Sequence, residues 1–190
     1  MKDLIEVRWH GRGGQGTVTV SKMLAESAVE EGYHVQAFPE YGAERMGAPV
    51  QSFTRISEEP VIIHSRVENP KIVLVLDPSL IGSVDILEGL DPEGTIIINS
   101  TQSPEEIRKL LDVGKRKVFV VDANTISLEE LGRVMPNTPL LGAFSKVSGL
   151  VNIENIEKAV KKQLSKKFSA SIIDANIKAL RRGYKEVIGD

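Results

Sequence analysis

The chain has 190 residues, 41% hydrophobic and 26% charged, with a formal net charge of −2. That is the composition of one ordinary folded unit, and it excludes a disordered chain or a broadly basic nucleic-acid binder. There is no cysteine, which excludes disulfides, thiolate-held zinc, a nucleophilic cysteine and cysteine-ligated iron–sulfur clusters on this chain.

The charge is uneven: residues 151–190 hold nine basic and five acidic side chains, a net of +4, leaving −6 on residues 1–150. Such a tail reads as a solvated helix face or as a surface for an acidic partner. The longest apolar run, Ile72-Val73-Leu74-Val75-Leu76, is far short of the ~20 residues that cross a bilayer. Residues 1–6 lack the apolar core of a signal peptide, so a cytoplasmic protein without membrane contact is expected.

Residues 4–10 read as a strand that runs into Gly11-Arg12-Gly13-Gly14-Gln15-Gly16. Residues 17–31 follow as a helix, with Val20, Met23, Leu24 and Ala28 on one face and Lys22, Glu26 and Glu30 on the other. Gly32 stops it. A second strand covers 34–38, and 41–49 reads as a loop. Residues 50–56 alternate like a half-exposed strand, which 61–64 are expected to join as a hairpin across Ser57-Glu58-Glu59-Pro60. Residues 72–76, 95–98 and 118–121 are branched and aliphatic, as in central parallel strands buried on both faces.

Ser103-Pro104-Glu105-Glu106 and Ser127-Leu128-Glu129-Glu130 carry the capping-box pattern of helix starts. Further helices are expected over 140–148, over 153–162 with Asn152 as cap, and over about 171–187, with a bend at 161–169. The alternation gives a three-layer α/β sandwich with a mostly parallel sheet of five or six parallel strands and a small antiparallel hairpin. No repeat or linker divides residues 1–190, so a single domain is expected, with the C-terminal helices 152–188 packed on it.

The chemistry-bearing signal is Gly11-x-Gly13-x-x-Gly16, after a strand and before a helix. Glycines let backbone approach a phosphate, and a helix start offers unpaired N–H groups and a positive dipole end. Arg12 adds a guanidinium able to fork onto a phosphate. The bland alternative is a tight turn used for packing or covered by a partner. A nicotinamide site also wants an acidic residue about 20 residues on; Glu40 stands near that place but follows Pro39 and reads as part of a rigid turn.

The second constellation is Gly42-Ala43-Glu44-Arg45-Met46-Gly47-Ala48-Pro49, with Arg55 beyond it. Topology puts this loop at the same sheet edge, where Glu44 and Arg45 can meet a ligand anion or another chain. Asp77 and Asp122 follow strands and read as caps or turns. His10, His34 and His64 lack companions at metal spacing, so no metal site is expected, and no catalytic constellation stands out.

The segment Arg8-Trp9-His10-Gly11-Arg12-Gly13-Gly14-Gln15-Gly16 resembles the N-terminal motif of the gamma subunits of pyruvate and related 2-oxoacid:ferredoxin oxidoreductases. So do the run from Gln36 through Phe38-Pro39-Glu40-Tyr41 and Glu44-Arg45-Met46-Gly47 to Val50, then Phe53-Thr54-Arg55-Ile56, Val75-Leu76-Asp77-Pro78-Ser79-Leu80, Val121-Asp122-Ala123 and Pro136-Asn137-Thr138-Pro139-Leu140-Leu141-Gly142-Ala143. The resemblance covers essentially the whole chain. Arg45-Met46-Gly47 stands where many relatives have Arg-Gly-Gly, which looks more like the pyruvate and branched-chain branch.

The resemblance implies a Rossmann-like domain in an enzyme that oxidatively decarboxylates a 2-oxoacid, makes an acyl-coenzyme A and reduces ferredoxin. It implies alpha, beta and delta subunits as partners, with thiamine diphosphate and the iron–sulfur clusters on those sister chains. It also implies coenzyme A binding and assembly as the role of this chain. Gly11, Arg12, Gly13, Gly14, Gln15, Gly16, Glu44 and Arg45 are then the expected ligand contacts. The rival readings are a pure assembly module and a stand-alone NAD(P)-binding dehydrogenase.

Overall fold

The computed structural model describes residues 4–40 and 47–190. In chain order these form β1 (Ile5–Arg12), α1 (Thr17–Glu30), β2 (His34–Glu40), β3 (Pro49–Ser57), β4 (Ile72–Val75), a 3-10 turn at Pro78–Leu80, β5 (Thr95–Asn99), α2 (Pro104–Leu110), β6 (Lys117–Val121), α3 (Ala123–Leu131), α4 (Asn137–Ser148), α5 (Ile153–Leu164), α6 (Ala170–Glu186) and β7 (Ile188–Gly189). One sheet orders them β2-β3-β1-β4-β5-β6-β7. β1, β4, β5 and β6 pair in parallel, and the last three carry the buried aliphatic runs expected of central parallel strands. β3 lies antiparallel between β1 and β2, and β7 closes the far edge antiparallel to β6. This is the expected mostly parallel α/β architecture. Counting β2, five strands point the same way, but only four of them adjoin.

The antiparallel hairpin has a different partner from the one expected. β3 pairs with β2, in the register His34↔Ser57 to Glu40↔Gln51, and not with 61–64. Backbone in that second segment is claimed by side chains. Gln36 Nε2 donates to Val61 O at 3.1 Å, and the Arg55 guanidinium donates to Ile63 O at 3.2 Å and Ser65 O at 2.8 Å. Pro39 is tolerated inside β2 because that strand is an edge.

Helix starts differ at two places. α3 begins at Ala123, capped by the Asp122 carboxylate on Thr125 N, rather than at Ser127. The Ser127 hydroxyl is inside the helix, donating to Asn124 O and accepting from Met135 N. α4 begins at Asn137, before the expected residue 140, because Pro139 sits in the first turn, where a missing N–H costs nothing. The capping box at Ser103 and Glu106 and the Asn152 cap form as expected.

The two sheet faces bury different cores. On one face α1, α4, α5 and α6 cover Val7, Trp9, Leu74, Leu76 and Ile97. Trp9 packs on Phe144 with ring centroids 6.2 Å apart, and its Nε1 donates to Thr54 Oγ1. α4 is the central helix of this layer, buried from Asn137 to Ser145. It meets α6 at two glycines: a Cβ on Gly142 would lie 2.0 Å from Leu180 O, and one on Gly183 would lie 1.9 Å from Pro139 O. On the other face α2 and residues 81–90 cover Val73, Val75, Ile96 and Ile98.

Where the second face passes β1 and β3 it is polar and still buried. Arg8 and His10 are 2% and 1% exposed, and His10 pairs across with Gln51. Arg8 Nε, His10 Nε2 and Gln51 Oε1 are all buried without a hydrogen-bond partner among the described residues. Burial first, and then the Arg8 charge, push the His10 imidazole down to about 3.

Two outcomes follow from this packing. Gly183→Ala forces α4 and α6 apart and should cost about 1–3 kcal/mol, seen as a lower midpoint in thermal denaturation; an unchanged midpoint would contradict the close crossing. For His10, the folded pKa lies below the unfolded value near 6.5. The stability it supports is therefore complete above about pH 6.5 and is lost as pH falls toward 3. Unfolding free energy should decline over that window by up to about 1.4 kcal/mol per pH unit, and His10→Leu should remove that slope.

Candidate functional site

β1 ends at Arg12 and α1 opens at Thr17, so the glycine loop lies at the carboxyl edge of the parallel strands. Two of its glycines are required. Gly16 is the N-cap with φ 80°, and a Cβ there would sit 2.5 Å from Asn137 Nδ2. A Cβ on Gly11 would sit 2.2 Å from Thr17 Oγ1. Gly14 also has a positive φ, of 96°. Among the described residues no side chain caps α1, and no acidic residue lies in its first turn, so its leading N–H groups and positive dipole end could take an anion.

The loop before β3 is fastened to this one. Gly13 N donates to Ala48 O at 2.9 Å, and Gly47 N donates to Gly13 O at 3.3 Å. The expected neighbourhood of the two loops is present in the stretch Gly47-Ala48-Pro49. Glu44 and Arg45 lie outside the described residues.

Arg12 and Gln15 are tied to a segment that the sequence motif did not include. Arg12 Nε and Nη2 donate to Ser79 Oγ at 3.1 and 2.9 Å, and Nη1 donates to Gly47 O at 3.0 Å. Arg12 Nε is also 3.4 Å from Asp77 Oδ2. Gln15 Oε1 accepts from Arg12 N, and Gln15 Nε2 donates to Asp77 Oδ2, both at 2.7 Å. Asp77 does cap the 3-10 turn, as expected, accepting from Ser79 N at 2.9 Å. Burial raises its carboxyl pKa, but hydrogen bonds from Ser79 and Gln15, with the Arg12 charge, outweigh that and hold it below the ordinary carboxylate range.

Among the described residues Arg12 therefore spends three of its five N–H groups and keeps two, at a side chain that is 31% exposed. Gln15 has both ends of its amide engaged, so its part is to shape the loop. Asp77, Ser79 and Asn137 are site residues that the glycine pattern alone did not reveal. The available signal for the first two was an Asp-Pro-Ser run at the end of a buried strand, on the edge where the loop also ends.

Two other sequence candidates go elsewhere. Arg55 is 1% exposed and structural: it pairs with Glu6 at 2.8 Å, bonds Gln36 Oε1 and lies over the Phe38 ring. Glu40 pairs with Arg66 at 3.3 Å, on a strand separated from β1 by β3. A ribose clamp needs its acidic residue on the strand beside the glycine loop, so this topology counts against a nicotinamide site. Among the described residues no three His, Asp or Glu side chains gather as metal ligands.

A family model described as pyruvate ferredoxin/flavodoxin oxidoreductase matches residues 6–186. The chain is 50% identical to the pyruvate synthase subunit PorC of Thermotoga maritima, over 98% of this chain and 96% of that one. It is 48% identical to the common gamma subunit of the pyruvate/ketoisovalerate oxidoreductases of Pyrococcus furiosus, over 96% and 97%. The crystal structure of the pyruvate oxidoreductase subunit PORC of Thermotoga maritima superposes with a TM-score of 0.87 at 47% identity, covering 100% and 99% of the two chains. At 16% identity the fold recurs, with a TM-score of 0.78, within the 2-oxoglutarate:ferredoxin oxidoreductase of Magnetococcus marinus, where it accounts for 31% of that longer chain. The chain belongs to the pyruvate ferredoxin/flavodoxin oxidoreductase family, as a gamma subunit of the pyruvate:ferredoxin type.

Proposed function

We propose that this gamma subunit receives the phosphate-bearing end of coenzyme A at its glycine loop and helps to assemble the enzyme. In this reading the chain is one cytoplasmic domain joined to alpha, beta and delta subunits. Those chains hold thiamine diphosphate and the iron–sulfur clusters and pass electrons to ferredoxin. The chain has no cysteine, so the clusters find no thiolate ligands here. Thiamine diphosphate supplies the decarboxylation chemistry when bound. What this chain offers is a place for the anionic end of the acyl acceptor.

The observation that carries the reading is the loop itself. Among the described residues nothing caps the leading N–H groups of α1 and nothing takes two of the N–H groups of Arg12, and both lie at the carboxyl edge of the sheet. Coenzyme A brings a pyrophosphate and a 3′-phosphate, which suit both kinds of donor. Arg45 and Glu44 belong to the proposal by their place in the sequence, in the loop that ends at Gly47. The distant fold neighbour was solved with coenzyme A and succinyl-CoA bound; that likeness carries the fold and not the contacts.

In the assembled enzyme, Arg12→Ala should raise the KM for coenzyme A by one to two orders of magnitude, the loss of a charged hydrogen bond worth about 1.5–3 kcal/mol. The KM for pyruvate should barely move. An intact complex with unchanged coenzyme A dependence would refute the ligand role. Dissociation of the complex would favour the pure assembly module.

A further inference from the structure

We infer that Asp77 sets the affinity of the glycine loop for its anionic ligand, acting as an internal counter-ion that competes for Arg12. The inference rests on the reading that this loop receives phosphates. Asp77 Oδ2 stands 3.4 Å from Arg12 Nε and takes the Gln15 amide at 2.7 Å, while Oδ1 takes Ser79 N. The carboxylate is the less exposed partner, at 16% against 31% for Arg12. It is fixed, and the guanidinium is the part that faces outward.

A cap of a three-residue turn does not need a charge. Asn and Ser accept from a backbone N–H as well as Asp does. The negative charge at position 77 does something that a neutral cap would not. It partly cancels Arg12 and repels any phosphate that approaches the same edge. The ligand therefore binds against a built-in anion, and release is correspondingly easier. A site that turns over a substrate gains from this, because binding that is equally tight before and after reaction only slows release.

Asp77→Asn keeps the acceptor for Ser79 N and removes the charge, but its amide nitrogen cannot accept from Gln15 Nε2. Gln15→Met, which loses that bond with the charge left in place, is therefore titrated beside it. Coenzyme A is titrated into the assembled enzyme carrying wild-type chain, Asp77→Asn or Arg12→Ala. Relative to Gln15→Met, Asp77→Asn should lower the dissociation constant by about three- to tenfold, the effect of one unit charge at several ångströms in a half-solvated site. The gain should shrink as ionic strength rises, because exposed charges are screened. If Asp77→Asn binds no more tightly than Gln15→Met while Arg12→Ala weakens binding, the charge of Asp77 does not tune the site; the inference falls and the loop reading stands. If neither Asp77→Asn nor Arg12→Ala changes binding, the loop does not receive the phosphates and both fall. Should the Asn form fail to assemble, Asp77→Ser, which keeps a short acceptor for Ser79 N and lacks the Gln15 bond, is compared with Gln15→Met in the same way.

Discussion

The carboxyl edge of this sheet is organised by one guanidinium. Arg12 is the last residue of β1, and its three inward N–H groups reach Ser79 after β4 and Gly47 before β3. Without that bridge, only the Gln15–Asp77 bond and backbone contacts described above would tie the three chain segments together at this edge. Gln15 closes the arrangement, because its amide accepts from Arg12 N and donates to Asp77. The glycine loop is thus held in shape from its own side chains outward. Such pre-organisation lowers the entropy that a ligand must remove on binding.

The helix layer adds a second constraint. Gly16 must be glycine on two counts, its positive φ and the approach of Asn137. Asn137 is the first residue of α4, the helix that fills the centre of its layer. α4 in turn is fixed by close contact with α6 at Gly142 and Gly183. The position of the loop therefore depends on packing three elements away, and the same glycines that let helices touch also set where the site lies.

Elements whose signals are local were legible in the sequence. The aliphatic runs of β4, β5 and β6 and the Ser103 and Asn152 caps carry their own physics, and so does the glycine loop between strand and helix. The misses involve partners remote in sequence. Alternation reads 50–56 as half-exposed, but Ser52 to Ser57 are buried, because the strand inserts between β1 and β2 and its polar residues are covered on both faces. Residues 61–64 have strand-like composition, yet Gln36 and Arg55 occupy carbonyls that a ladder would use. Ser127 fits a capping box, but Asp122 caps first. In the site, glycine spacing located the loop and Arg12, whereas the tie to Asp77 and Ser79 spans more than 60 residues.

β1 links the fold to the site through its alternation. Val7 and Trp9 enter the helix-covered core, while the intervening Arg8 and His10, with Glu6 and Arg12 at either end, lie on the other face. That face would carry three positive charges in a row if His10 were protonated. Burial and the Arg8 charge keep the imidazole neutral, and the remaining cations each have acidic company. Arg8 feels Glu88 and Asp85, and Arg12 has Asp77. Glu6, at the start of the strand, serves Arg55. Arg8 is 2% exposed and the Arg12 side chain 31%, so Arg12 has the access to solvent that Arg8 lacks. It stands at the open end of the row, so of the two arginines it is the one whose electrostatic balance an incoming anion can alter without unfolding the sheet.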